Sequence, residues 1–285
     1  MPPARPRNTP SLVPFYAGRV LTWEGRAMGT RGLKLMARLG YGSRGAVYLM
    51  IGGLATLTAI AGGGETVGSR GAVRELLRQP FGEVLVIAIS LGLFCYAGWR
   101  VMQSLFDAEK HGTGAKGLVI RAGLFVSAAT HGFLGVYALS LVVAAMASQG
   151  EGKGAIAWLM QQSFGPYLVG LVGLLIVGAG CAQVWKGARR RFHKYLEFSR
   201  AEHPVLSWIC GFGLIARGVV FCLIGGLACF AAVKADPQQA GGMPEAMSWL
   251  RRQPFGQATY AAMAFGLFAF GIYSLVEARW RRIRT

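Results

Sequence analysis

Five stretches of this 285-residue chain lack any Asp, Glu, Lys or Arg: between Arg44 and Glu65, Glu83 and Arg100, Arg121 and Glu151, Lys153 and Lys186, and Arg252 and Glu277. A sixth, from Pro204 to Val233, is interrupted only by Arg217. A helix needs about 20 apolar residues to cross the hydrocarbon of a bilayer, and these runs reach that length, the second with help from its flanks. Lipid offers no partner to a backbone amide, so each run must close its own hydrogen bonds as a helix. A soluble helical domain would carry about 25% charged residues. This chain carries 15%, against 53% hydrophobic. The expectation is an all-α integral membrane protein with six transmembrane helices.

The runs are not independent. Gln79-Pro80-Phe81-Gly82 returns as Gln253-Pro254-Phe255-Gly256, with a degraded copy, Gln162-Ser163-Phe164-Gly165, between them. Upstream, the twelve residues from Arg44 match those from Arg217 at eight positions, and His131-Gly132 stands where Arg44-Gly45 and Arg217-Gly218 stand. Gly92-Leu93-Phe94 and Gly266-Leu267-Phe268 follow their turns at equal spacing. The chain therefore reads as a basic N-terminal arm (1–34) followed by three two-helix units at 35–106, 118–192 and 207–285. Two spans per unit make every unit enter and leave on one side, so the repeats are parallel, not inverted. Ala72, Val73, Leu76 and Leu77 form one apolar stripe, which predicts a short interfacial helix before the Gln-Pro-Phe-Gly turn. Glu245 to Leu250 is its counterpart in the third unit. With 42 glycines, helices can approach backbone to backbone, as at Gly52-Gly53 and Gly225-Gly226.

The net charge of +18 is a topology signal. With the N-terminus in the cytoplasm, 22 Lys and Arg fall on the cytoplasmic side and seven on the other, Arg217 lying within a span. That excess suits anionic lipid headgroups as partners. The aromatic-interleaved basic patches of a nucleic-acid binder are missing. The basic run from Lys186 to Lys194 reads as a solvated, headgroup-facing anchor. Five cysteines, all within apolar runs and without a Cys-x-x-Cys spacing, imply neither disulfide framework nor metal site. No cofactor is expected.

A charge inside a span is costly and marks a functional candidate. Arg44, His131 and Arg217 recur at one position of the three first helices, and Gln103 and Glu277 recur near the ends of second helices. One reading gathers the three basic groups around a central axis as a site for an anion or lipid headgroup. The other makes each a packing residue that ties its own hairpin, with Arg217 and Glu277 paired inside the third unit. Thr130-His131 could relay protons, or His131 could simply substitute for arginine in packing. Gln-Pro-Phe-Gly could line a pore, or be a turn that holds the interfacial helix to the next span. No nucleophile–base pair, catalytic carboxylate pair or phosphate-cradling loop can be assembled, so an enzyme is not expected.

Arg44-Gly45-Ala46-Val47-Tyr48, Gln79-Pro80-Phe81-Gly82 and Val276-Glu277-Ala278-Arg279, in this order and copy number, resemble the bacterial membrane family called Domain of Unknown Function 1206. That resemblance implies a transmembrane helix pair present three times, in a bacterial cytoplasmic membrane, and implies no activity. The middle unit departs from it at His131 and Ser163. Two expectations stand: a structural or interaction protein with both termini cytoplasmic, or a small channel or transporter for an anion or lipid headgroup. The protein partner, if any, is not legible.

Overall fold

In a computed structural model of the chain, residues 30–61, 68–107, 109, 111–146, 164–197, 203–236 and 241–283 are described. The arm to residue 29, the connection before Phe164 and with it Gln162 lie outside the described residues. Eight α-helices follow one another there: α1 (Thr30–Ile60), α2 (Ser69–Leu77), α3 (Gly82–Phe106), α4 (Ala115–Met146), α5 (Gly165–Ala188), α6 (Pro204–Lys234), α7 (Met243–Arg251) and α8 (Gly256–Trp280). A 3-10 turn, Arg191–Tyr195, follows α5. Six of the helices, all but α2 and α7, are long and apolar enough to span a membrane.

Which side chains face outward supports the same conclusion. Leu57, Phe133, Leu174, Val233 and many other large apolar residues are exposed, while Arg44, Glu277 and Arg281 are buried. Water would favour the reverse; lipid as the outer solvent favours this one. The short helices behave as interfacial pieces. α2 buries Ala72 and Val73, and α7 buries Met243, Ala246 and Met247, each on a single face.

Each unit's second helix packs broadly on the first helix of the next unit: α3 on α4, α5 on α6 and, closing the cycle, α8 on α1. Within a unit the contacts are narrower, α1 with α3 and α6 with α8. Among the described residues no comparable interface joins α4 to α5. The six spans thus form a pseudo-threefold ring, open at one seam, in the order α4, α3, α1, α8, α6, α5.

Small residues set both kinds of contact. At the three between-unit interfaces Gly45, Gly132 and Gly218 occupy one repeat position. A Cβ added there would lie 3.1 Å from the Gly271 carbonyl, 3.8 Å from the Ala97 Cβ and 2.7 Å from the Gly180 carbonyl respectively. Gly271, Ala97 and Gly180 are themselves repeat equivalents, so the same pair of positions meets at all three interfaces, tightly at Gly45 and Gly218 and in ordinary contact at Gly132. Inside units one and three, Gly40 meets the Tyr96 backbone and its equivalent Gly213 meets that of Phe270. Gly92 likewise meets Ser43, and Gly266 meets Ala216. The middle unit has Ser127 for Gly40 and Leu175 for Gly92. Side chains therefore stand where glycines admit the close approaches of the other two hairpins, and Leu175 is exposed. The seam opens in the unit that lacks both glycines.

Gln79–Gly82 and Gln253–Gly256 are tight turns, each closed by the glycine N–H donating to the glutamine carbonyl at 2.8 Å. Phe81 and Phe255 sit in the left-handed region, at φ 60° and 59°, with their rings exposed. A Cβ at Gly82 would lie 2.5 Å from two carbonyls of α2, so the motif's glycine is sterically required. Phe164 caps α5 with a negative φ of −101°, and Gly165 opens that helix.

Candidate functional site

The polar candidates converge where the chain's first and last units meet. Arg44, on the face of α1 that looks toward both α3 and α8, donates Nε–H to Ser274 Oγ at 3.1 Å, Nη1–H to the Tyr96 hydroxyl and Nη2–H to Glu277 Oε2 at 2.5 Å. All four residues are buried. The Glu277 carboxylate also accepts from Arg281, one residue beyond α8, and Arg281 in turn reaches Glu109 Oε1 at 2.5 Å. Gln103 Nε2–H donates to Glu109 at 2.9 Å, Arg100 donates to Gln103 Oε1 at 3.0 Å, and Arg100 Nε–H donates to Tyr96 at 2.8 Å. The circuit then returns to Arg44. Seven side chains from α1, α3, α8 and the segments flanking them form one closed hydrogen-bonded loop.

Aromatic rings support it. The Tyr41 ring faces the guanidinium groups of Arg44, Arg100 and Arg281 at 5.1, 5.9 and 5.0 Å, and Trp99 donates to its hydroxyl. A cation–π contact contributes about 0.5–1 kcal/mol at an exposed site and about 2 kcal/mol when desolvated. At the membrane face, burial disfavours the charged Glu109, but Arg281 outweighs it and holds the carboxyl below the usual glutamate range. Asp107 is held low by the backbone N–H groups of His111 and Gly112.

This arrangement corrects the expected pairing. Among the described residues, Glu277 forms ion pairs with Arg44 and Arg281, not with Arg217. The tie is between units, because α8 lies broadly against α1. Arg217 is held by the Tyr48 hydroxyl at 2.8 Å and by Gln183 Oε1, with its guanidinium 4.0 Å from the Phe221 ring centre and 4.7 Å from that of Phe270. His131 stacks edge-on against Tyr96 at 4.6 Å. Its Nδ1 lies 2.8 Å from the Ser127 carbonyl, which can only accept, so that nitrogen carries the proton. Thr130 turns its hydroxyl to the Val126 carbonyl on an exposed face and forms no relay with His131. Arg44, His131 and Arg217 do come within electrostatic reach of one another, spaced by Tyr48, Tyr96 and Phe270.

Sequence reasoning overlooked Tyr96, Arg100, Glu109, Gln183, Lys186, Ser274 and Arg281. The repeat register could have found several. Arg100, Gln183 and Ser274 are one equivalent set; Gln103, Lys186 and Glu277 are another. Lys186 lies 3.4 Å from the Tyr273 hydroxyl and over the Tyr195 ring at 4.9 Å. The basic stretch that follows is also more than an exposed anchor. Arg189 and Arg191 are exposed, but Phe192 and Leu196 are fully buried, and backbone bonds tie Tyr195 and Glu197 to Arg282 and Trp280.

The sequence pattern of the family described as Domain of Unknown Function (DUF1206) matches the chain three times, at residues 39–107, 122–190 and 212–281. The Bacillus subtilis (strain 168) "Uncharacterized protein YxxB" is 32% identical over 260 residues, covering 88% of this chain and 92% of that one. No solved structure matches.

Proposed function

This chain belongs to the DUF1206 family, and from that premise we propose that it is a non-enzymatic structural or interaction protein of the bacterial cytoplasmic membrane, with both termini cytoplasmic. The observation that carries this reading is the closed loop through Arg44, Glu277, Arg281, Glu109, Gln103, Arg100 and Tyr96. Its charged groups are spent on each other and on joining two units, which is the work of packing rather than of turnover. The 22-to-seven distribution of Lys and Arg favours this orientation and suits anionic headgroups as lipid partners.

One observation favours a second reading, an anion or headgroup site on the side of the middle unit. Where Glu277 faces Arg44, the equivalent position opposite Arg217 holds Lys186: a cation stands where the first interface has a carboxylate. Reconstituted vesicles separate the two. The structural reading expects chloride and phosphate efflux equal to that of protein-free vesicles, with thiol labels at both ends of the chain reacting from one face. Efflux above that background, lost in a well-folded Arg217→Leu protein, would replace it with the second reading. Labels reacting from opposite faces would overturn the topology on which both rest.

A further inference from the structure

We propose that the seam between α4 and α5 seats one anionic glycerophospholipid, its phosphate between Arg217 and Lys186 and an acyl chain along the exposed face of α5; this rests on the anion reading above.

Three independent features point to it. First, charge. Among the described residues, neither Arg217 nor Lys186 has a carboxylate within ion-pair distance, and Arg217 is held by neutral groups alone. Four cations, Arg44, Arg100, Arg281 and Lys186, surround the two carboxylates of Glu277 and Glu109. A cation excess at the edge of a low-dielectric region is stabilised by a bound anion. Repeat equivalence says where that anion would stand: in the place the Glu277 carboxylate takes beside Arg44.

Second, space. Tyr96 and Phe270 fill the ring's interior from units one and three, and the equivalent residue in the middle unit is Ala179, which is exposed. Along the same face of α5, Leu175 and Ala182 are exposed, and Lys186 continues it. On α4, Thr130 is exposed at the position where, in the first unit, Ser43 packs on Gly92 of α3. A chain-wide apolar slot thus ends at an amine.

Third, depth. Gly165 opens α5 next to the turn, and Lys186 lies 21 residues along it, about 31 Å at 1.5 Å per residue. That is the thickness of the hydrocarbon layer, so Lys186 sits at the level of the opposite headgroups. Phosphates sit there too.

The test uses the full chain, stripped of lipid by extended detergent washing, with retained lipid counted by native mass spectrometry. Dioleoyl phosphatidylglycerol is expected to be retained as a single molecule, about tenfold or more tightly than dioleoyl phosphatidylcholine, the loss expected from one charge-assisted contact. Lys186→Gln and Arg217→Gln each reduce retention about tenfold, and Ala179→Phe, which restores the ring present in the other units, evicts the lipid. Lys116→Gln, on the exposed first turn of α4, leaves it unchanged. Equal retention of the two lipids by the wild type overturns the proposal without any variant having to fold. So does phosphatidylglycerol retention that ignores Ala179→Phe. In that event, inorganic phosphate raising the unfolding temperature of the wild type and not of Arg217→Gln would leave the anion reading standing. If phosphate too has no effect, both fall.

Discussion

Replacing Glu277 with leucine removes the one carboxylate that Arg44 and Arg281 share. Glu277 is 2% exposed and Arg44 is 4% exposed, so solvent cannot substitute for it. Breaking a buried ion pair by deleting one partner costs about 3–5 kcal/mol, because the remaining cation is left uncompensated. At roughly 2–4 °C per kcal/mol for a chain of this size, unfolding should move down by about 6–20 °C. Arg44→Leu should cost a similar amount, since it abandons Ser274 and Tyr96 as well. The informative quantity is the double-mutant cycle, read by tryptophan fluorescence during unfolding in a mild mixed detergent. Arg44→Leu and Glu277→Leu should couple by about 1–3 kcal/mol, whereas Arg217→Leu and Glu277→Leu should add to within about 0.5 kcal/mol. Coupling of Glu277 to Arg217 and not to Arg44 would refute the between-unit pairing and the ring order with it.

Two further outcomes follow from neighbouring features. Gly52 and Gly53 should respond oppositely to alanine: a Cβ at Gly52 would lie 2.5 Å from the Phe268 Cα and cost about 1–3 kcal/mol. Gly53 has nothing within 4 Å, so alanine there should be neutral or stabilise by up to about 1 kcal/mol, measurable by the same unfolding assay. The Glu109–Arg281 contact should be acid-labile. Because the folded state holds Glu109 below its ordinary value of 4.5, its contribution is complete above that pH and lost as the pH falls through the depressed value. Glu109→Gln should remove that part of the acid-dependent loss of unfolding temperature; an unchanged acid limb would contradict the assignment.

The number of spans and the repeat were legible because the features that set them are local. A charge-free run of sufficient length dictates a helix, and Gln-Pro-Phe-Gly announces its own turn. Partnership was not local. Arg217 and Glu277 belong to one unit, and only the knowledge that α8 lies against α1 gives Glu277 to Arg44. Arg281 and Glu109 looked like ordinary flanking charges because hydropathy cannot tell a helix end turned into the bundle from one turned toward water. The open seam rests on single substitutions, Ser127 and Leu175 for glycine and Ala179 for an aromatic ring. All are as apolar or small as the lipid-facing residues around them, so no pattern of hydrophobicity marks them. Aligning the copies position by position does.

The partners Arg44 and Glu277 are 233 residues apart in the chain. During synthesis the first hairpin is made long before its counter-ion exists, so for most of translation the guanidinium must be kept among headgroups or in the insertion machinery. The nascent protein cannot lock its earliest helix until its last one arrives. A ribosome stalled, or a stop codon placed, anywhere ahead of Glu277 would leave an intermediate with an unneutralised cation in its first span, a natural mark for membrane quality control.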